Sequence, residues 1–214
     1  MKQLLLLITL FCCVTFLQAQ ENQSYWGIKV GLNVSEIRSK DQPTIDLSTT
    51  TGLHAEVFRN FQINDLFALQ AGIAYTERGG KDRIESISTI DFDEKFDINT
   101  TYVSLPIVFQ TRRGNFLSEL GVVPALQLGV NADVSDPTIS KGGLESVWES
   151  DFDFGLIAGV GYHIKDLEIG VRVIPGLARV SSEITFTDQD GNPTSTERYG
   201  RNLVVQMTAA YRIN

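Results

Sequence analysis

Residues 26–37 read WGIKVGLNVSEI. Trp26, Ile28, Val30, Leu32 and Val34 are apolar, Ile37 follows after a slip of one, and Gly27, Lys29, Gly31, Asn33 and Ser35 lie between them. A period of two marks a β-strand with one apolar and one polar face. In a soluble sandwich the apolar face points to the core. In a membrane barrel it points to lipid, and the polar face lines the lumen. The orientation of this strand therefore decides both the fold and the class of function.

The preceding residues narrow the choice. MKQLLLLITLFCCVTFLQAQ has one Lys, an apolar run from Leu4 to Leu17, and then Gln18-Ala19. A short basic start, an apolar middle and a small residue at the cut make a secretory signal peptide. The run falls short of the roughly 20 apolar residues of a membrane-spanning helix, and no basic stop-transfer cluster follows. Cleavage is expected after Ala19, giving a signal at 1–19 and one domain over 20–214. A lipoprotein signal fits less well, because Cys12 and Cys13 follow bulky Leu10 and Phe11. Both cysteines lie in this segment, so the mature chain has no disulfide, thiolate metal site or cysteine nucleophile. The net charge of −8 argues against a nucleic-acid partner.

Strands are expected at 25–37, 50–61, 66–78, 98–112, 116–133, 151–163, 167–181 and 200–213. Asn64-Asp65, Gly114-Asn115 and Lys165-Asp166 make tight turns, being tolerant of positive φ. The connections at 38–49, 79–97, 134–150 and 182–199 are long and polar, and the segment 79–97 concentrates acidic charge. Short and long connections alternate strictly. That is the pattern of an all-β, eight-stranded, antiparallel up-and-down transmembrane barrel, with the short turns and both termini on the periplasmic side of the outer membrane.

The faces agree. Leu167, Ile169, Val171 and Val173 alternate with Glu168, Gly170 and Arg172, and Leu203, Val205, Met207, Ala209 and Tyr211 oppose Asn202, Gln206, Thr208 and Arg212. Charges buried in a soluble core without partners would be ruinous. In a narrow closed barrel, glycines make room and opposite charges pair across the lumen. The expected lumen polar network is Lys29, His54, Glu56, Arg112, Glu119, Gln127, Glu168, Arg172, Gln206 and Arg212. Tyr25, Trp26, Phe61, Phe116, Tyr162 and Tyr211 cluster near the short-turn end, where an aromatic belt belongs. The alternative architecture is a soluble, secreted lipocalin-type barrel, with apolar faces turned inward around an apolar ligand.

Four stretches resemble a known family. The opening WGIKVGLNVSEI, then TYVSLPIVFQ, then FGLIAGVGYHI with LEIGVRVIPGL, and the closing VQMTAAYRIN resemble, in that order, strands of PorT-like outer-membrane β-barrel proteins of gram-negative bacteria. The resemblance covers essentially the mature chain. It implies the barrel fold, burial in outer-membrane lipid and insertion by the barrel-insertion machinery. Ile213-Asn214 stands where the family usually ends in an aromatic residue, so recognition by that machinery is weaker or rests on Tyr211. Members of the family support protein secretion or gliding, so the resemblance also implies a link to secretion.

Enzyme signatures are absent. His163 falls beside the Lys165-Asp166 turn, and His54 faces the same side as Glu56, which reads as an interior contact. No metal-ligand spacing, nucleophile elbow or phosphate-cradling loop is present, and no cofactor is expected. DQDGN at 188–192 resembles the start of a calcium loop but lacks the downstream bidentate Glu. Side chains largely fill an eight-stranded lumen, so no large conductance is expected. What remains is a structural or partner-binding barrel whose acidic, Ser/Thr-rich loops could meet other envelope proteins.

Overall fold

The computed structural model describes residues 24–39, 49–84, 94–134, 152–178, 184–187, 193–196 and 200–213. Within these the chain forms β1 (Tyr25–Ser39), β2 (Thr50–Gln62), β3 (Phe67–Ile84), β4 (Glu94–Ser104), β5 (Ile107–Arg113), β6 (Phe116–Val134), β7 (Phe152–Ile164), β8 (Leu167–Pro175), β9 (Ile184–Thr187), β10 (Pro193–Thr196) and β11 (Gly200–Ile213). Neighbours pair antiparallel in chain order, and β11 pairs with both β8 and β1. β4 and β5 share one place, since each pairs with β3 on one side and β6 on the other. The result is an up-and-down ring of eight strand places, closed from β1 round to β11. Closure pairs the first strand of the ring with the last, as a sheet that crosses lipid requires. The expected signal at 1–19 and the DQDGN stretch lie outside the described residues.

The faces are inverted relative to a soluble barrel. Phe116, Leu120, Ile73 and Val160 are 68, 66, 64 and 63% exposed, whereas Lys29, Gln70, Gln110, Arg172 and Gln206 are at most 1% exposed. Apolar side chains cover the outside of the ring, and polar ones, with small apolar clusters between them, fill it. A lipocalin-type interior requires the opposite, so that alternative is not favoured.

The structure corrects several expected boundaries. The place expected as one strand at 98–112 is broken at Leu105-Pro106. Proline offers no ladder N–H, and here the Pro106 carbonyl accepts from Gly72 N at 3.1 Å while Leu105 N donates to Pro124 O at 2.9 Å. β3 runs on to Ile84 and β4 starts at Glu94, so much of the expected loop 79–97 is paired strand, from Arg78↔Thr100 to Ile84↔Glu94, and from Phe96 onward β4 also pairs with β6. The hairpin of β9 and β10 occupies part of the expected loop 182–199. The strand expected to reach residue 181 ends at Pro175, followed by a single bridge from Gly155 to Gly176. β1 has no slip before Ile37. Its pairing with β11 is continuous from Trp26↔Ile213 to Ser39↔Gly200, so Ile37 shares the inner face with Asn33 and Ser35 and is buried.

The tight turns follow their residue types. Gly114 has φ +60° and Lys165 φ +58°, the left-handed region that two-residue hairpins need. Asn64 Oδ1 accepts from the backbone N–H groups of Leu66 and Phe67 at 2.9 and 2.8 Å, an Asn-capped turn.

One seam of the wall differs from the rest. The β2–β3 ladder runs from Gln62↔Ala68 only to His54↔Thr76, though both strands continue beyond it. Past that point side chains join them. Glu77 Oε2 accepts from Leu53 N at 3.0 Å, Asn33 Nδ2 donates to Glu77 O at 2.8 Å, and Ser35 Oγ accepts from Gly79 N at 2.8 Å. Gly52 packs against Glu77, where a Cβ would lie 2.6 Å from the Glu77 carbonyl oxygen.

Candidate functional site: the charged interior

Because alternate residues of every strand face inward, side chains far apart in the chain meet inside the ring. At the centre, Arg172 on β8 donates from Nε to Glu119 Oε2 at 2.6 Å and from Nη2 to Glu119 Oε1 at 2.9 Å. This two-point fork is the strong form of a guanidinium–carboxylate contact. Arg172 Nη1 also lies 3.5 Å from Glu56 Oε2 on β2. Lys29 on β1 places Nζ 3.4 Å from Glu168 and 3.8 Å from Glu119, and 5.3 Å from the centre of the Phe58 ring. Gln110 Nε2 donates to Glu119 Oε1 and to Gln70 Oε1, both at 2.9 Å, and Gln70 Nε2 donates to Glu56 Oε1 at 2.9 Å. Side chains from β1, β2, β3, β5, β6 and β8 thus interlock across the ring.

Closely approaching glycines give this cluster its space. A Cβ at Gly159 would lie 2.9 Å from Arg172 Cγ and 3.0 Å from Glu119 Oε2, and one at Gly72 2.6 Å from Glu56 Oε1.

His54 faces the same interior. Its Nδ1 is 2.9 Å from Thr76 Oγ1 and its Nε2 is 3.4 Å from Glu56 Oε2. Gln206 Nε2 donates to Asn33 Oδ1 at 2.9 Å. Gln127 is half-buried on β6 opposite Tyr102.

Arg112 and Arg212 lie toward the turn end of the cluster, which Arg112 joins through a contact of Nη2 with Gln110 Oε1 at 3.4 Å. Rather than pairing with an acid across the lumen as expected, they flank Tyr25. Arg112 is half-buried and donates from Nη2 to the Tyr25 hydroxyl at 2.7 Å. Arg212 is exposed, with its guanidinium carbon 4.5 Å from the centre of the Tyr25 ring. Tyr25 is therefore an inner-face residue, 8% exposed, and not a member of the outer aromatic belt. Trp26, Phe116, Tyr162 and Tyr211 do lie outside, with Phe116 and Tyr162 in edge contact.

A second charged centre lies outside the expected network. Arg78 Nη1 donates to Asp153 Oδ2 at 2.7 Å, and Asn202 Nδ2 donates to the same oxygen at 3.0 Å. Both partners of this ion pair are at most 2% exposed. Arg78 also stacks over Tyr102, 5.2 Å from the ring centre. The alternation of Gln70, Thr76 and Arg78 with Leu69, Ile73 and Tyr75 was the signal that marks the inner face of β3. Among the described residues no group of three or more His, Cys, Asp or Glu is arranged to hold a metal ion.

Comparison with known proteins gives the following. A family model described as outer membrane protein beta-barrel domain matches residues 18–182. No curated protein matches the chain by sequence. Among solved structures, Neisserial surface protein A is 11% identical, with 90% of this chain and 100% of that chain covered and a TM-score of 0.49. A major outer membrane protein from Thermus thermophilus is 10% identical, with coverages of 90% and 100% and a TM-score of 0.48. The outer membrane protein OprG from Pseudomonas aeruginosa is 11% identical, with coverages of 88% and 95% and a TM-score of 0.45. The family match spans most of the chain, and it agrees with the closed ring, the apolar exterior and the polar interior. The chain is an outer-membrane protein embedded in lipid, and it belongs to the outer membrane protein β-barrel domain family.

Proposed function

We propose that this protein is a sealed outer-membrane barrel serving as a structural or partner-binding platform, neither a pore nor an enzyme. One observation carries the reading. The central cluster of Lys29, Glu56, Glu119, Glu168 and Arg172, with Gln70 and Gln110, spans the ring with every member at most 5% exposed. Paired charges at this density leave no continuous water path. Gln206, Gln127 and His54 extend the network along the lumen, and Arg112 and Arg212 complete it at the turn end. The contacts of His54 with Thr76 and Glu56 resemble a nucleophile–base–acid array only in composition. All three residues are buried in the packed interior, where no substrate reaches them.

In this reading residues 1–19 are a cleaved signal, and 20–214 are delivered to the barrel-insertion machinery. The short turns and both termini face the periplasm, and the long acidic loops present the partner surface to other envelope proteins. The strand motifs that resemble PorT-like proteins support placement near that subfamily and a role linked to protein secretion.

Planar-bilayer recording tests the sealed state. The purified protein, shown to be folded by a heat-dependent shift in gel mobility, should insert without unitary current steps. A stable open channel in the unmodified protein would refute the proposal.

A further inference from the structure

The turn-end mouth of the lumen holds a pocket of about 210 Å³. Its floor is the apolar cluster of Tyr25, Phe58 and Ala210. Above that floor the charges do not balance. Glu168 is engaged by Lys29 at 3.4 Å. Arg112, Arg212 and Lys165 line the pocket, and none of the three has a carboxylate within ion-pair distance among the described residues. Asp166 is the one remaining acid of the lining. With His163 taken as neutral, Arg112, Arg212 and Lys165 against Asp166 and Glu168 leave the lining with an excess of one positive charge, since Lys29 is shared between Glu168 and Glu119.

The two guanidinium groups are also pre-positioned. Both contact one aromatic ring, with Arg112 at 5.8 Å and Arg212 at 4.5 Å from the centre of Tyr25. The hydrogen bond from Arg112 Nη2 to the Tyr25 hydroxyl, at 2.7 Å, fixes the first of them. The same Nη2 lies 3.4 Å from Gln110 Oε1, which anchors the guanidinium a second time. Guanidinium forks match oxygen pairs on carboxylates and phosphates, and two forks converging on one site suit a compact group with three or more oxygens better than a single carboxylate.

We propose that this pocket is a binding site for a compact oxoanion, phosphate or a phosphate monoester. Arg112 and Arg212 grip the anion, and Lys165 supplies charge at the rim. The site lies inside the barrel mouth, so its ligand arrives from the turn-side solution and not from the lipid phase.

The test is a titration of the folded, full-length mature protein with inorganic phosphate. The detergent is a maltoside, free of phosphate, and ionic strength is held constant with sodium chloride. Arginine Nε–H resonances report binding. Saturable shifts of the Arg112 and Arg212 signals are expected. Arg212→Gln, at an exposed position, should weaken binding about tenfold or more. Arg113→Gln, exposed on the outer face at the end of β5, should leave it unchanged. A parallel titration with succinate should bind more weakly than phosphate. Shifts no larger than chloride produces, equal loss in both variants, or tighter binding of succinate would each overturn the assignment.

Discussion

Glu119→Ala removes the acceptor on which the central cluster converges. The carboxylate takes two hydrogen bonds from Arg172, at 2.6 and 2.9 Å, and one from Gln110 at 2.9 Å. Hydrogen bonds to charged groups contribute about 1.5–3 kcal/mol each, so the Arg172 fork alone accounts for roughly 3–6 kcal/mol. Arg172 keeps a weaker contact with Glu56 at 3.5 Å, which offsets part of the loss. The expected destabilisation is therefore about 4 kcal/mol, within the range for removing one partner of a buried ion pair. That corresponds to roughly a thousandfold in the folding equilibrium.

Urea unfolding in lipid vesicles measures it, with the lipid-facing Trp26 as fluorescent reporter and linear extrapolation to water. Combining Glu119→Leu with Arg172→Met removes both charges, leaves Lys29 with Glu168, and leaves Glu56 its hydrogen bond from Gln70 and its contact with His54. It should recover much of the loss, because the damage comes from a stranded charge and not from the missing attraction. A loss below about 1 kcal/mol for Glu119→Ala, or a double variant no better than the sum of its singles, would refute the reasoning. The cluster would then be hydrated and loosely held.

Two further predictions probe the wall. A Cβ at Gly121 would fall 2.9 Å from Val108 Cα and against the Ile107 carbonyl oxygen, whereas nothing lies within 4 Å of one at Gly129. Gly121→Ala should therefore cost about 1–3 kcal/mol and lower refolding yield, and Gly129→Ala should leave the urea midpoint nearly unchanged; equal behaviour would show that the ring relaxes freely around added volume. Val171, exposed on β8 and flanked in register by Val160 and Met207, faces the apolar phase. Val171→Arg should destabilise the barrel by roughly 2–4 kcal/mol in vesicles if it sits near the bilayer midplane, and a variant as stable as its parent would place this band outside the hydrocarbon.

Legibility of the fold in the sequence tracks how sharply each strand separates its two environments. β8 and β11 have lipid on one side and packed lumen on the other. Their alternation is therefore sharp over residues 167–173 and 205–208, and the faces of Val171, Arg172, Gln206 and Met207 follow from counting alone. Where the contrast fades, reading fails. The stretch Glu77 to Ile84 mixes charges with Gly79-Gly80, which resembles a loop, yet its backbone stays paired to β4. Ile37 suggested a slipped register because an apolar side chain was assumed to face outward. The inner face in fact holds apolar patches, Val108, Val123, Ile157, Ile174 and Val204 among them.

The candidate site shows the same limit. Inward-facing charges could be selected by strand parity, but which of them meet depends on stagger around the ring. Arg172 finds Glu119 across 53 positions of chain, and no local spacing encodes that. Tyr25 was misplaced because a strand-end aromatic suits a belt as well as it suits a lumen.

The seam between β2 and β3 sets a different kind of limit. Along the other ladders of the described residues the wall is held by main-chain hydrogen bonds, which every amino acid except proline can make, so drift in sequence leaves them continuous. Beyond His54↔Thr76 continuity rests on the side chains of Asn33, Ser35 and Glu77 and on the bare backbone of Gly52. There the integrity of the barrel is heritable, residue by residue. A change at one of four positions can alter how tightly the cylinder is zipped, which makes this the stretch of wall that selection can adjust.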